Sequence, residues 1–263
     1  MSRVKAVIHT QFTGRRKNRL QRLIVVVALA GLLPVGVLRA DPPDPDPGSD
    51  AGAAILDRYF NASQVQQASM RGLKMDVDID AQLPKLKKQG RLHALRNVSQ
   101  VGRVTYRALG FSGDTSVKKD VIARYLTAEV QAQGNGQDLS ITPANYKFKY
   151  KGLQNRNGQD IYVFNVSPRK KEVGLFKGEI WLDKATCMPV REAGRFVKNP
   201  SIFFKKTEFV RTYRMQNGIS VPKHIDSVVQ TRIVGPVELS IDFNNIVRGG
   251  PDDDVAAAGA ASE

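Results

Sequence analysis

The chain has one cysteine in 263 residues, which rules out an internal disulfide and any Cys–Cys metal motif. Histidine is nearly as scarce: of three, only His93 and His224 lie beyond the N-terminal segment, too few for a zinc cluster. There is no G-x-S-x-G elbow, no H-E-x-x-H, no Walker loop and no G-x-G-x-x-G, so the common hydrolase and nucleotide-binding signatures are missing. Cys187 and His224 could in principle pair as nucleophile and base. Cys187, however, falls in a short connection, with Met188 and Pro189 after it. The expectation is a protein that is not an enzyme, with no cofactor and no metal.

Acidic residues are absent from residues 1–40, which hold eight Lys/Arg. The formal net charge is +15 from 40 basic and 25 acidic residues; without that segment 32 basic residues remain, or +7. Most of the basicity is therefore N-terminal and is no nucleic-acid signal by itself. "RRKNRLQR" runs into the apolar stretch Leu23–Leu38, and Ala40 precedes Asp41, as in an export signal with its cleavage point. Pro34 and the 16-residue length argue against a normal membrane span, although a retained N-terminal anchor stays open as the alternative. Domains are expected as signal peptide 1–40, Pro/Asp linker 41–51, folded domain 52–247 and disordered tail 248–263. An exported chain without disulfides must be held by its core.

Two segments carry helical periodicity. In 52–69 the stripe is Ile55, Leu56, Tyr59 and Phe60; in 114–132 it is Val117, Val121, Ile122, Tyr125 and Leu126. Asp114 is the expected N-cap, and "GNG" at 134–136 the expected stop. Nearly everything else alternates with period two. Leu73, Met75, Val77, Ile79 and Ala81 share a face in 71–83; Ile219, Val221, Ile225, Val229 and Ile233 in 219–233; Val237, Leu239, Ile241, Phe243 and Val247 in 237–247. The count is about ten antiparallel strands with one apolar face, and two amphipathic helices are the available cover. The predicted class is α+β: a strongly curved antiparallel sheet, an unclosed β-barrel of about ten strands, wrapping two helices around an apolar cavity.

Several motifs invite a chemical reading and a plainer one. "YKFKYK" (146–151) alternates aromatics with lysines, but strand geometry sends the rings to one face and the ammonium groups to the other, which argues against nucleic-acid binding. "DVDID" (76–80) lines three carboxylates on one face; a solvent-facing row is the expectation and a divalent cation the alternative. "SPRKKEVGLFK" (167–177) reads either as a loop for anionic lipid or an acidic partner, ending in an exposed Leu175–Phe176 pair, or as an ordinary hairpin connection.

The hairpin "GEIWLDKATCMPVREAGRF", followed by "GISVPKHIDSV" and "GPVELSIDFNNI", resembles the LolA-like periplasmic lipoprotein-carrier superfamily. A W-[IL]-D-x-x-T-x-x-P-V-R hairpin recurs there, matched here by Trp181, Leu182, Asp183, Thr186, Pro189, Val190 and Arg191. The resemblance covers roughly 52–247. It implies a monomeric periplasmic binding and transfer protein that holds the acyl chains of lipoproteins or lipids and exchanges them with a membrane-protein donor or acceptor. An RseB-like envelope sensor or regulator, acting through a protein partner, is the runner-up. The family's cavity arginine has Arg103 and Arg107 as candidates, and related hairpins often carry Gly where this chain has Cys187. The expected cavity lining is Leu73, Met75, Ile79, Phe148, Tyr150, Ile180, Leu182, Phe209, Val221, Ile225, Leu239 and Ile241 on the sheet, with Tyr59, Phe60, Ile122 and Tyr125 on the helices.

Overall fold

A computed structural model describes residues 50–134, 139–199 and 204–249. The expected export signal, nearly all of the linker at 41–51, residues 135–136 of the helix stop and most of the 248–263 tail lie outside the described residues. Every described residue belongs to one compact unit.

Ten strands form one antiparallel sheet: β1 (Leu73–Leu83), β2 (Lys88–Val98), β3 (Val104–Gly113), β4 (Tyr146–Arg156), β5 (Gln159–Pro168), β6 (Phe176–Asp183), β7 (Pro189–Phe196), β8 (Phe204–Gln216), β9 (Ile219–Thr231) and β10 (Pro236–Arg248). Their order is β3-β2-β1-β10-β9-β8-β7-β6-β5-β4. Two meanders are thus joined where β10 returns to pair with β1, and β3 and β4 remain as free edges. The sheet is an unclosed half-barrel, as the alternation predicts. Helix α1 spans Asp50–Ser69. A second helical run starts as α2 (Thr115–Val117), passes through a π-helical turn at Lys118–Ile122 and ends as α3 (Ala123–Gly134). Asp114 caps α2: its Oδ1 accepts from the Ser116 N–H at 2.8 Å, and Lys88 Nζ lies 3.2 Å from its other oxygen. The Ser116 bonds, with Lys88, hold the Asp114 carboxyl down to about 2. Among the described residues no helix is long and apolar enough to cross a membrane.

Period-two alternation translates directly into burial. Met75, Val77, Ile79 and Ala81 of β1 are fully buried, while the intervening aspartates point out and are engaged. Asp80 takes Arg91 at 2.6 Å, Asp78 takes His93 at 2.9 Å, and Asp76 accepts from Asn245 at 2.7 Å. The "DVDID" row is therefore a satisfied outer surface. In β4, Tyr146 and Tyr150 are buried and Phe148 is half-buried, and Lys147, Lys149 and Lys151 are exposed.

Three sequence expectations fail locally. Asn245 adopts a left-handed φ of +47° and puts an extra residue into β10 opposite Lys74–Asp76. This bulge flips the parity of the remaining strand residues, so Ile246 faces the core and Val247 is 56% exposed. Ile233 does not continue the β9 stripe: the strand ends at Thr231, and Ile233 sits in the turn, 77% exposed. Leu175 and Phe176 are not an exposed pair; both are buried, Phe176 at the start of β6 against Phe209 at 5.0 Å between ring centres.

Candidate functional site

The inner side of the sheet carries two apolar clusters, and the expected lining residues divide between them. Leu73, Met75, Ile79, Val221, Ile225, Leu239 and Ile241 pack under the second helical run, with Ile122 buried among them and Tyr125 against them. Tyr150, Ile180, Leu182 and Phe209 pack under α1, with Tyr59 buried among them and Phe60 and Phe148 against them. Each cluster thus pairs one helix with one half of the sheet. The α1 side is the more aromatic: Phe60 meets Phe148 edge-on at 5.6 Å, Tyr150 meets Phe164 at 5.0 Å, and Phe196 stacks on Phe209 at 5.1 Å. Gly178 and Gly194 face each other across β6 and β7, and a Cβ on either would run into the opposing strand's backbone. Phe176 and Phe209 cover this side-chain-free floor.

Between the clusters lies a polar seam that the sequence reading did not single out. Glu192 of β7 and Arg211 of β8 are direct cross-strand partners, joined at 2.9 Å. Glu192 is almost completely buried. Tyr213, two residues along on the same face, interacts electrostatically with both. Burial works against the Arg211 charge, but Tyr213 and Glu192 outweigh it and raise the guanidinium pKa. Burial, then the Glu192 charge, pushes the Tyr213 phenol well up. A second group ties α3 to the sheet. Arg96 of β2, 9% exposed, donates to Glu129 at 3.0 Å and to the Tyr106 hydroxyl at 3.0 Å, and Tyr106 donates to the other Glu129 oxygen at 2.7 Å. Arg96, not Arg103 or Arg107, is the interior arginine of this region. Arg103 precedes β3 and Arg107 faces outward, both exposed. The signal for these groups was present: Arg96 occupies the inward parity of Leu92, Ala94 and Val98, and Arg211 that of Thr207 and Phe209.

Helix α1 crosses the sheet. Gly52 at its start lies against Tyr150, and Gln66 near its end grips the Ser220 backbone of β9, accepting from the N–H at 2.9 Å and donating to the carbonyl. Those groups are available because the β9–β10 ladder ends at the His224–Asp242 pair, leaving 219–223 without a β10 partner. Midway along α1, Arg58 donates to the Ala185 carbonyl at 2.9 Å in the β6–β7 turn. Asp183 organises that turn by accepting from the Thr186 N–H and hydroxyl, both at 2.8 Å. Cys187 adopts a left-handed φ of +56° and is fully buried, and burial pushes its thiol pKa up. His224 has both ring nitrogens on carboxylates, Asp242 at 2.7 Å and Asp226 at 3.0 Å. The Cys187–His224 pair is thus not assembled. Trp181 points outward, covered by Arg191 at 4.5 Å and Arg156 at 5.6 Å from its ring centre.

No family model and no curated protein matches the chain. Among solved structures it is similar to a DUF1329 family protein from Desulfovibrio piger, with 13% identity, 76% of this chain and 94% of that one covered, and a TM-score of 0.46. It is also similar to a LolA superfamily protein from Nitrosomonas europaea, with 12% identity, coverage of 76% and 95%, and a TM-score of 0.39. A third is the putative outer membrane lipoprotein-sorting protein domain from Vibrio parahaemolyticus, with 12% identity, coverage of 76% and 94%, and a TM-score of 0.40.

Proposed function

We propose that this protein is a periplasmic carrier that holds acyl chains of a lipoprotein or lipid against the inner face of its half-barrel and passes them between membrane-bound donors and acceptors. The observation that supports this reading most directly is the cover of that face. Two helices lie over two apolar clusters, and α1 is pinned by a few polar ties: Arg58 to the β6–β7 turn and Gln66 to Ser220. Each such hydrogen bond contributes about 1 kcal/mol net. An acyl chain burying about a dozen methylenes would supply roughly 10 kcal/mol. Chain binding therefore outweighs the ties, and a helix lifted by entering lipid exchanges one apolar contact for another. The free edges at β3 and β4 let the sheet flex without breaking its ladder.

The test is native mass spectrometry of protein recovered from an exporting host. Co-purifying lipid or acylated peptide, or uptake of a diacyl lipid on titration, is expected. A clean mass with no uptake would sink the carrier. If crosslinking then captured an envelope protein on the folded domain, the sensor reading would replace it.

A further inference from the structure

We propose that the outer face of β4–β7 is a docking surface for an anionic bilayer, held to lipid headgroups by Lys147, Lys149, Lys177 and Arg195. All four side chains are exposed, and among the described residues none has an ion-pair partner. Lys177 and Arg195 are direct cross-strand partners, an arrangement in which like charges work against the sheet. Lys147 stands opposite Ser167 and Lys149 opposite Asn165, so the row offers hydroxyl and amide donors between its cations.

The acids on this side are already taken. Glu179 accepts from Trp181 at 3.1 Å, and Asp160 pairs with Lys184 at 3.0 Å. Asp183 is held by Gln159 and Thr186, and Glu208, opposite Arg195, takes Lys206 at 2.6 Å. On the other half of the outer face the aspartates of β1 and β10 are engaged as well, Asp80 by Arg91, Asp78 by His93 and Asp242 by His224. The unpaired cations would orient the molecule with β4–β7 toward a negative surface. Four strands span about 15 Å, a width that several headgroups can meet at once. Tyr146, Phe148 and Tyr150 turn inward and Trp181 is covered by Arg156 and Arg191, so no free ring is left to stack nucleobases. The choice of lipid over another polyanion rests on the lipid-carrier reading; the charge pattern stands without it.

The test uses the protein as recovered from an exporting host, with a fluorophore at Asn165→Cys on this face or at Val228→Cys on the outer side of β9. Buried Cys187 stays unlabelled. Vesicles containing phosphatidylglycerol and a headgroup quencher should quench the probe at 165 and not the one at 228, with the effect lost in high salt and absent on phosphatidylcholine. Each of Lys147→Gln, Lys177→Gln and Arg195→Gln should weaken binding about five-fold, and the triple variant about 100-fold. Melting temperature should stay level or rise, since the Lys177–Arg195 opposition is relieved. Equal quenching at both sites, equal binding to phosphatidylcholine, or a triple variant within two-fold of wild type would overturn the proposal. So would displacement of vesicles by an oligonucleotide or acidic peptide at lower concentration. A clean apo mass would end the carrier reading and with it the prior choice of lipid; selective quenching at 165 on phosphatidylglycerol vesicles would still establish the docking surface by itself.

Discussion

Glu192 and Arg211 face each other across β7 and β8 at 2.9 Å, on the inner side of the sheet and between its two apolar clusters. Removing one partner of a buried pair leaves the other charge uncompensated, at about 3–5 kcal/mol. The Arg211 side chain keeps 36% exposure, so water screens part of that cost and roughly 2 kcal/mol is expected for Glu192→Leu. Glu192→Leu combined with Arg211→Met should cost less than the two single changes added together. Urea denaturation of the full double-mutant cycle measures this; strict additivity would mean the pair is not coupled.

Cys187 is held for its backbone, at φ +56° with the side chain fully buried. Cys187→Gly trades a small loss of apolar burial for relief of left-handed strain, about 1 kcal/mol each way. Its stability and lipid uptake should both stay near wild type. Cys187→Val adds a β-branched side chain at a left-handed position and should lose more than about 2 kcal/mol. Thermal melts of the two variants, with lipid titration of the first, decide it. A Gly variant that folds but takes up no lipid would reopen a role for the thiol.

Strands and helices were legible because their burial follows a fixed period: Met75, Val77, Ile79 and Ala81 need only alternation to be placed. What failed was whatever breaks the period without a sequence mark. Asn245 gives no warning that it will insert a bulge, yet it exchanges Ile246 for Val247 in the core. Leu175 and Phe176 follow a basic loop, and only tertiary contact with Phe209 shows them to be core. That the strands' alternating apolar side chains face the inner side of the sheet was readable residue by residue. Their division into two clusters was not, because the polar pair between them, Glu192 of β7 and Arg211 of β8, meets only in the folded sheet.

His224 closes the β9–β10 ladder, with Asp242 at 2.7 Å and Asp226 at 3.0 Å. Across the same outer row Asp78 stands opposite Asp242 and is itself met by His93, and Thr212 of β8 stands opposite His224. Partial burial works against the imidazolium, but hydrogen bonds to Asp242 and Asp226 prevail and raise the His224 pKa above its ordinary value. A raised folded-state value means the stabilisation is fully present below about pH 6.5 and is lost as pH rises through the shifted value. Wild type should lose stability as pH rises above about 6.5, by less than about 1 kcal/mol at this partly exposed site. In His224→Gln that pH-dependent loss should shrink. Melting curves across this window check both; an unchanged slope in the variant would assign the effect elsewhere.

Gln66 fills the place where β9 loses β10, bonding the Ser220 N–H and carbonyl that no strand pairs on that side. The Ser220 hydroxyl in turn donates to the Pro189 carbonyl at 2.6 Å, so α1, β7 and β9 meet at one point. Gln66→Ala removes both bonds and leaves backbone groups to find water, a cost of about 1–3 kcal/mol. Its functional consequence differs from that of a core truncation. On the carrier reading, Tyr59→Ala removes apolar surface that the acyl chain would meet and should weaken lipid binding at equilibrium, whereas Gln66→Ala releases the cover and leaves that surface intact. On the carrier reading, in which entering lipid lifts α1 and breaks these ties, faster uptake is therefore expected in Gln66→Ala, with the on-rate rising more than the off-rate and affinity level or higher. Stopped-flow transfer of a fluorescent lipid between vesicles measures both rates; a rise in the off-rate alone would place Gln66 in the lining rather than in the latch.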